Sequence, residues 1–352
     1  MNRSNLRLQR IERLRDEARR QNLDGVMIYS WRRGALGWFC GYSPGFVTNY
    51  GALWVPCEGE PLLGVRHPYE GDRARQESGL TVKTGVAPEQ LLPASAHRIG
   101  WVGGDFSIDE TPVSFLSAAS TRQLELVDLK ISVDEWRIVK APDEVEALRR
   151  ATVIGEIALK AAGITSQPGE TDFSVAARVE AAARSAGAFR VSCLVGIGDG
   201  AVVTEAHGKV VGTTDAVGLE INLEADHAFI QTNGTLLPAA PLQHQVQALE
   251  ACQAVRHTLL ETLKPGTSVD QVVAAGDRHL STLSLHNAKE YDFGHGVGAD
   301  TPEHPRLVYG TRRKIETGMV LAVHVAVRRS QGETAFVGRS VLITETGAID
   351  LL

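Results

Sequence analysis

Sulfur is scarce in this chain: its 352 residues include four cysteines and three methionines. Cys40, Cys57, Cys193 and Cys252 are widely scattered, without the close pairing that a zinc or redox motif requires. A disulfide framework is thereby excluded, and reduced, mostly buried thiols in a cytoplasm are expected. Positive charge is in deficit as well. Lys and Arg number 36 against 42 Asp and Glu, and the net charge of -6 gives no reason to expect a nucleic acid as partner. No stretch approaches the roughly 18 consecutive apolar residues of a membrane span, so no membrane partner is expected. The basic start, Asn2 to Arg10, runs into a charged helical pattern and not into the apolar centre of an export signal. What remains is the composition of an ordinary globular protein, 43% hydrophobic and 22% charged, long enough to bury a core in each of two domains.

Over residues 6–22, Leu6, Ile11, Leu14 and Ala18 recur at helical spacing among arginines and acids, which predicts a surface helix with one apolar stripe. Asp24-Gly25 is a turn signal, and the apolar run Val26 to Tyr29 has the character of a buried strand. Similar runs at Ala52 to Val55, Pro61 to Val65, Leu80 to Val82 and Ile99 to Val102 predict an α/β N-terminal domain, residues 1–135. His67 and His97 have no acid or cysteine at ligand spacing and read as structural or surface residues. Trp31, Arg32, Arg33, Trp38 and Tyr42 form an aromatic and basic stretch with two readings: a wall reaching towards an anionic substrate, or ordinary packing and solvated charge.

The second domain, residues 136–352, is expected to begin just after Asp134. Pro142 suits a first helical turn, Asp143 and Glu144 favour the positive end of the helix dipole, and Val145, Leu148, Thr152 and Leu159 mark a buried stripe. Thr171 is placed to cap a further helix ending near Gly187. Residues 219–224 then alternate strictly: Leu219, Ile221 and Leu223 share one face of a strand, and Glu220, Asn222 and Glu224 the other. The returning strand brings Gln231 near Asn222. A helix over residues 243–263 stops at Lys264-Pro265-Gly266, and Ser268 caps the next. In the strand after Thr317-Gly318, Leu321, Val323, Val325 and Val327 take one face. His324 takes the other between Ala322 and Ala326, which leave room as a pocket wall would; a satisfied core histidine is the competing reading.

The densest signal is Phe293-Gly294-His295-Gly296-Val297-Gly298, whose three glycines let backbone approach whatever His295 touches. Three further landmarks join it: Ile138-Val139-Lys140-Ala141-Pro142-Asp143-Glu144 with Leu148-Arg149-Arg150-Ala151, then Leu263-Lys264-Pro265-Gly266, and Glu316-Thr317-Gly318-Met319-Val320. In this order and spacing they resemble the creatinase, aminopeptidase P and prolidase superfamily along nearly the whole chain. The resemblance implies an α+β pita-bread C-terminal domain behind the α/β N-terminal domain, and a homodimer.

Family peptidases hold two metal ions with two aspartates, one histidine and two glutamates, an oxygen-rich set suited to hard or borderline cations. Matched residue by residue, only the histidine survives, as His295. The aspartate positions fall at Asn222 and Gln231, and the glutamate positions at His324 and Gly338. No metal and no cofactor is therefore expected. Creatinase, which the resemblance includes, works without metal and uses the matching histidine for proton transfer. The expected activity is metal-independent hydrolysis of a C–N bond in a small molecule. His295 acts as general base and acid, His324 and Glu303 assist, and His207, Asn222, Gln231 and Glu220 contact the substrate. Two other readings stand beside it: a catalytically silent protein that binds a small ligand or peptide, and a peptidase-like enzyme with one metal rebuilt around His295 and His324, joined by Asp226 or His227.

Overall fold

The computed structural model describes residues 3–30, 34–45, 49–103, 111–198, 203–285, 287–328 and 334–352. The chain divides into two units, Met1–Arg137 and Ile138–Leu352. In the first unit α1 (Arg3–Arg20) leads into β1 (Gly25–Ser30), α2 (Ala35–Cys40), β2 (Gly51–Pro56), β3 (Leu62–Val65), α3 (Gly71–Ser78) and β4 (Thr81–Thr84). Then come β5 (Arg98–Val102), α4 (Val113–Thr121), β6 (Glu125–Asp128) and α5 (Lys130–Arg137). The strands form one mixed sheet in the order β4-β3-β2-β1-β5-β6. Its apolar runs sit on the core formed by Met27, Trp54, Ile99, Trp101 and Phe115.

Sequence reasoning passed over α4 and α5. Helix α4 buries only Phe115 and Ala119 and leaves Val113 81% exposed, so it has no apolar stripe to read. Trp31, Arg32 and Arg33 lie outside the described residues. Trp38 and Tyr42, from the same stretch, are core residues instead of a substrate wall: Arg10 lies 4.1 Å over the Trp38 ring, and the Tyr42 hydroxyl donates to Glu70 at 2.8 Å. All four cysteines are free thiols, and burial pushes those of Cys40, Cys193 and Cys252 up to about 12. No helix among the described residues is long and apolar enough to cross a membrane.

The second unit comprises α6 (Pro142–Ala161), α7 (Asp172–Ser185), β7 (Arg190–Ile197), β8 (Val217–Ala225), β9 (Ala228–Leu236), α8 (Gln243–Thr262) and α9 (Val269–Thr282). It continues with β10 (Gly294–Gly296), β11 (Glu303–Arg306), β12 (Val320–Arg328), β13 (Thr334–Thr344) and β14 (Gly347–Asp350). The helix starts are local chemistry. Glu144 accepts the Ala141 N–H at 2.8 Å, Thr171 accepts that of Ser174 at 3.2 Å, and Ser268 with Gln271 forms a reciprocal capping box.

The strands make a curled sheet in the order β11-β10-β12-β13-β9-β8-β7, with β14 on the side of β13. Two hydrophobic clusters lie against it. One joins α6 and α7 to β8, and the other joins α8 and α9 to β12 and β13. The halves meet along β9 and β13, whose register holds a single residue pair, Gly338 opposite Asn233. Side chains from alternate positions fill the helix side: Ile221 and Ile230 in one half, Val323 and Val341 in the other. The polar alternates therefore point to the opposite face. This is the pita-bread architecture expected from the sequence.

Candidate functional site

On that opposite face, strand register lines polar side chains into two neighbouring rows. In the first, Glu220 pairs with Asn233, Asn233 with Gly338, and Gly338 with His324. In the second, Asn222 pairs with Gln231, and Ser340 pairs with Ala322, which pairs with His295. Ser340 Oγ closes this row by donating to the Gln231 carbonyl at 3.2 Å. The His295 and His324 rings stand edge to face, with centroids 5.7 Å apart.

The glycines around His295 serve its neighbours more than the imidazole. A side chain at Gly294 would collide with the Ala322 carbonyl and one at Gly296 with that of His304, because β10 is squeezed between two strands. A Cβ at Gly298 would lie 2.8 Å from both Lys140 Nζ and Glu303 Oε2. Gly298 thus clears space for a buried ion pair, Lys140 to Glu303 at 2.6 Å. Glu303 Oε1 accepts the Asp300 N–H at 3.0 Å, so both of its oxygens brace the loop after the glycine motif.

Nδ1 of His295 sits 2.9 Å from the Gly296 carbonyl, which can only accept, so Nδ1 carries the proton and Nε2 keeps its lone pair. Burial holds the His295 pKa below the usual value, against the pull of the Gly296 carbonyl and Asp292. His324 is pushed down to about 3, first by burial and then by His295. Its Nε2 lies 3.8 Å from Asp292 Oδ1, while Arg306 grips Asp292 Oδ2 at 3.1 and 2.5 Å. This Asp292–Arg306 pair was not read from the sequence, since nothing in an exposed-looking Asp marks it. Among the described residues, Nδ1 of His324, both side-chain polar atoms of Asn233 and Oε1 of Gln231 are buried without a hydrogen-bond partner. Buried polar atoms of this kind call for a water or a ligand.

Glu220 stands at the edge of the same face, its pKa raised by burial against hydrogen bonds from Asn222, at 2.8 Å, and Gln231. His207 is not brought into either row. Its side chain is 65% exposed and leans on Asp172 at 3.5 Å, whose carboxylate gathers the backbone N–H groups of Phe173, His207 and Gly208. Asp226 and His227 form the two-residue turn between β8 and β9, both at positive φ. The turn lies roughly 20 Å along the ribbon from Asn233 at about 3.3 Å per residue, and Asp226 pairs with Arg150 there at 2.6 Å. It brings no third ligand to the histidines.

A family model described as metallopeptidase family M24 matches residues 146–345. The chain belongs to metallopeptidase family M24. Over 349 residues, 97% of this M24 chain and 96% of the relative, it is 22% identical to a Xaa-Pro dipeptidase of Pyrococcus furiosus. Its fold matches a prolidase from Pyrococcus horikoshii with a TM-score of 0.85, at 19% identity and covering 97% of each chain. An X-Pro aminopeptidase from Thermotoga maritima gives 0.84 at 18% identity, covering 97% of this chain and 96% of that one.

The metal centre that the family implies can be tested against the donors present. Among the described residues no three His, Cys, Asp or Glu side chains cluster as a metal site would need. Asn222, Gln231, His324 and Gly338 stand where the resemblance places carboxylates, and the geometry adds Asn233, which sequence reasoning missed. Asn233, not Gln231, is the β9 residue opposite Gly338. Amides and imidazoles supply no negative charge to hold two hard divalent cations together, so these residues do not fit a dinuclear centre.

Gly338 is adapted to its neighbours. A Cβ there would collide with Asn233 Oδ1 and lie 2.6 Å from the His324 Cβ. Gly338→Ala is therefore expected to cost about 1–3 kcal/mol of stability, the usual range for overpacking. Urea denaturation measures this, and an unchanged midpoint would mean that β13 yields freely.

The buried histidines also set a pH dependence. Their pKa values are lower in the folded chain than in the unfolded one, which takes up protons near pH 6.5, so the unfolded state binds more protons below that pH. Stability is then unaffected well above pH 6.5 and falls as pH drops towards 3, by at most about 1.4 kcal/mol per pH unit for each histidine. His324→Gln should remove close to one proton from this slope in denaturation midpoints between about pH 5.5 and about pH 4. Parallel curves for variant and parent would show that His324 ionises normally.

Proposed function

We propose that this chain hydrolyses a C–N bond of a short peptide or a related small amide without a dinuclear metal centre, His295 moving the proton. The observation that carries the reading is the buried, neutral pair of His295 and His324 on a face whose carboxylate positions hold amides, imidazole and glycine. The relatives named as Xaa-Pro dipeptidase and prolidase support a peptide as the substrate class.

In this reading the Nε2 lone pair of His295 takes a proton from water as the water oxygen attacks the amide carbon. The same proton passes to the leaving nitrogen, so the C–N bond breaks with one O–H and one N–H exchanged. His324 Nδ1 and the Asn233 amide, which lack partners among the described residues, bind the polar atoms of the amide. Asp292 lies 3.8 Å from His324 Nε2, and Glu220 aligns Asn222 and Gln231 beside them. His207 would enter only as a contact from its exposed loop.

The test is turnover of a panel of Xaa-Pro dipeptides, other dipeptides and small amides by protein treated with chelator, beside elemental analysis of the same sample. Chelator-resistant cleavage supports the reading. Activity lost to chelator and restored by manganese or zinc overturns it, and saturable binding without cleavage overturns its hydrolytic half.

A further inference from the structure

The two halves of the second unit leave a cavity of about 600 Å³ at their seam, on the helix side of the sheet. Its floor is the register pair Asn233–Gly338, and its walls include Glu156 and Lys160 of α6, Gln253 and Arg256 of α8, and Arg339 of β13. It lies behind the histidine face, with the sheet between. The volume falls within the roughly 300–1,000 Å³ of small-ligand sites.

The cavity opens to solvent at Lys160 and Gln253, and charged side chains line it. Arg339 ion-pairs with Glu156 and donates Nη1 to the carbonyls of Asn233 and Gly338, each at 2.7 Å. Burial presses on its guanidinium strongly enough to lower the arginine pKa. Nη2 of Arg339 has no acceptor among the described residues, and neither Lys160 nor Gln253 has a side-chain partner among them. Arg256 is neutralised by Asp350 at 2.5 Å, as Arg339 is by Glu156. Lys160 therefore leaves the lining one positive charge in excess: Lys160, Arg256 and Arg339 against Glu156 and Asp350. A planar guanidinium edge and an ammonium lining one cavity are groups that take a carboxylate.

We propose that this cavity is a second binding site, for a small carboxylate of amino-acid size. The carboxylate lies between Arg339 Nη2 and Lys160 Nζ, and the Gln253 amide binds the polar remainder. The site stands whether or not the histidine face turns over a substrate. Its occupant touches the backbone of Asn233 and Gly338 from behind, so it bears on the same strand pair that carries the first row of the histidine face.

The test is calorimetric titration of the full chain with acetate, glycine, L-proline and citrate at constant ionic strength. Saturable binding of at least one of them at one site per chain is expected. Lys160→Gln and Gln253→Ala, both changes at exposed side chains, should each weaken it about tenfold, an order typical of losing one hydrogen bond to a charged group, and His295→Ala should leave it unchanged. Binding of none of the four overturns the proposal. So does an affinity indifferent to both cavity variants, or one abolished by His295→Ala, which would place the ligand on the other face.

Discussion

His295→Ala is expected to lower kcat on the best peptide or amide substrate by about 10²–10⁴-fold, the range supplied by a positioned acid–base group. The loss should fall on kcat more than on KM, because the amide-binding groups, His324 Nδ1 and Asn233, lie in the neighbouring row and are untouched. His295→Ala should fold, since among the described residues its ring hydrogen-bonds the adjacent Gly296 carbonyl alone. Steady-state kinetics with circular dichroism of the same samples measures both. Full activity in a folded variant would remove His295 from the chemistry, and a change confined to KM would make it a binding residue.

Lys140→Met is expected to destabilise the second unit by about 3–5 kcal/mol, because it leaves the Glu303 carboxylate buried without its cation. Lys140 and Glu303 are 6% and 4% exposed, and the pair spans 163 residues of sequence. Adding Glu303→Leu should restore much of the loss, since a matched apolar pair avoids the cost of burying charge. The two urea midpoints decide the matter. A double variant as unstable as the single one would mean that Glu303 is needed for its bond to the Asp300 N–H, not for its charge.

Much of the second unit was legible because its strands are two-sided. Strict alternation at residues 219–224 and 321–327 marked core and polar faces, and the structure buries Leu219, Ile221, Leu321, Val323 and Val325 on the helix side. The helix starts at Pro142, Thr171 and Ser268 were legible because capping is local. What sequence could not supply was register. Asn233 was missed because choosing between it and Gln231 requires knowing that β8 and β9 turn through two residues and that β13 meets β9 at one point. The Asp292–Arg306 clamp and the Lys140–Glu303 pair were missed for the same reason: both are made by distant segments. Helix α4 of the first unit has a weak apolar face that periodicity does not reveal, and α5 is only eight residues long.

The two-sided strands have a consequence for how such a chain changes over generations. The residues that hold the helices and those that face the histidines occupy alternate positions on the same strands, so a substitution on one face leaves the other in place. A lineage can exchange aspartate for asparagine, or glutamate for histidine, without disturbing the clusters that hold the curled sheet to its helices. Gly338 shows where this independence ends: a Cβ there would meet Asn233 Oδ1 and the Cβ of His324 on the same face, so these three positions are coupled. Changes at any one of the three are therefore expected to be felt at the other two, while the helix side is left in place.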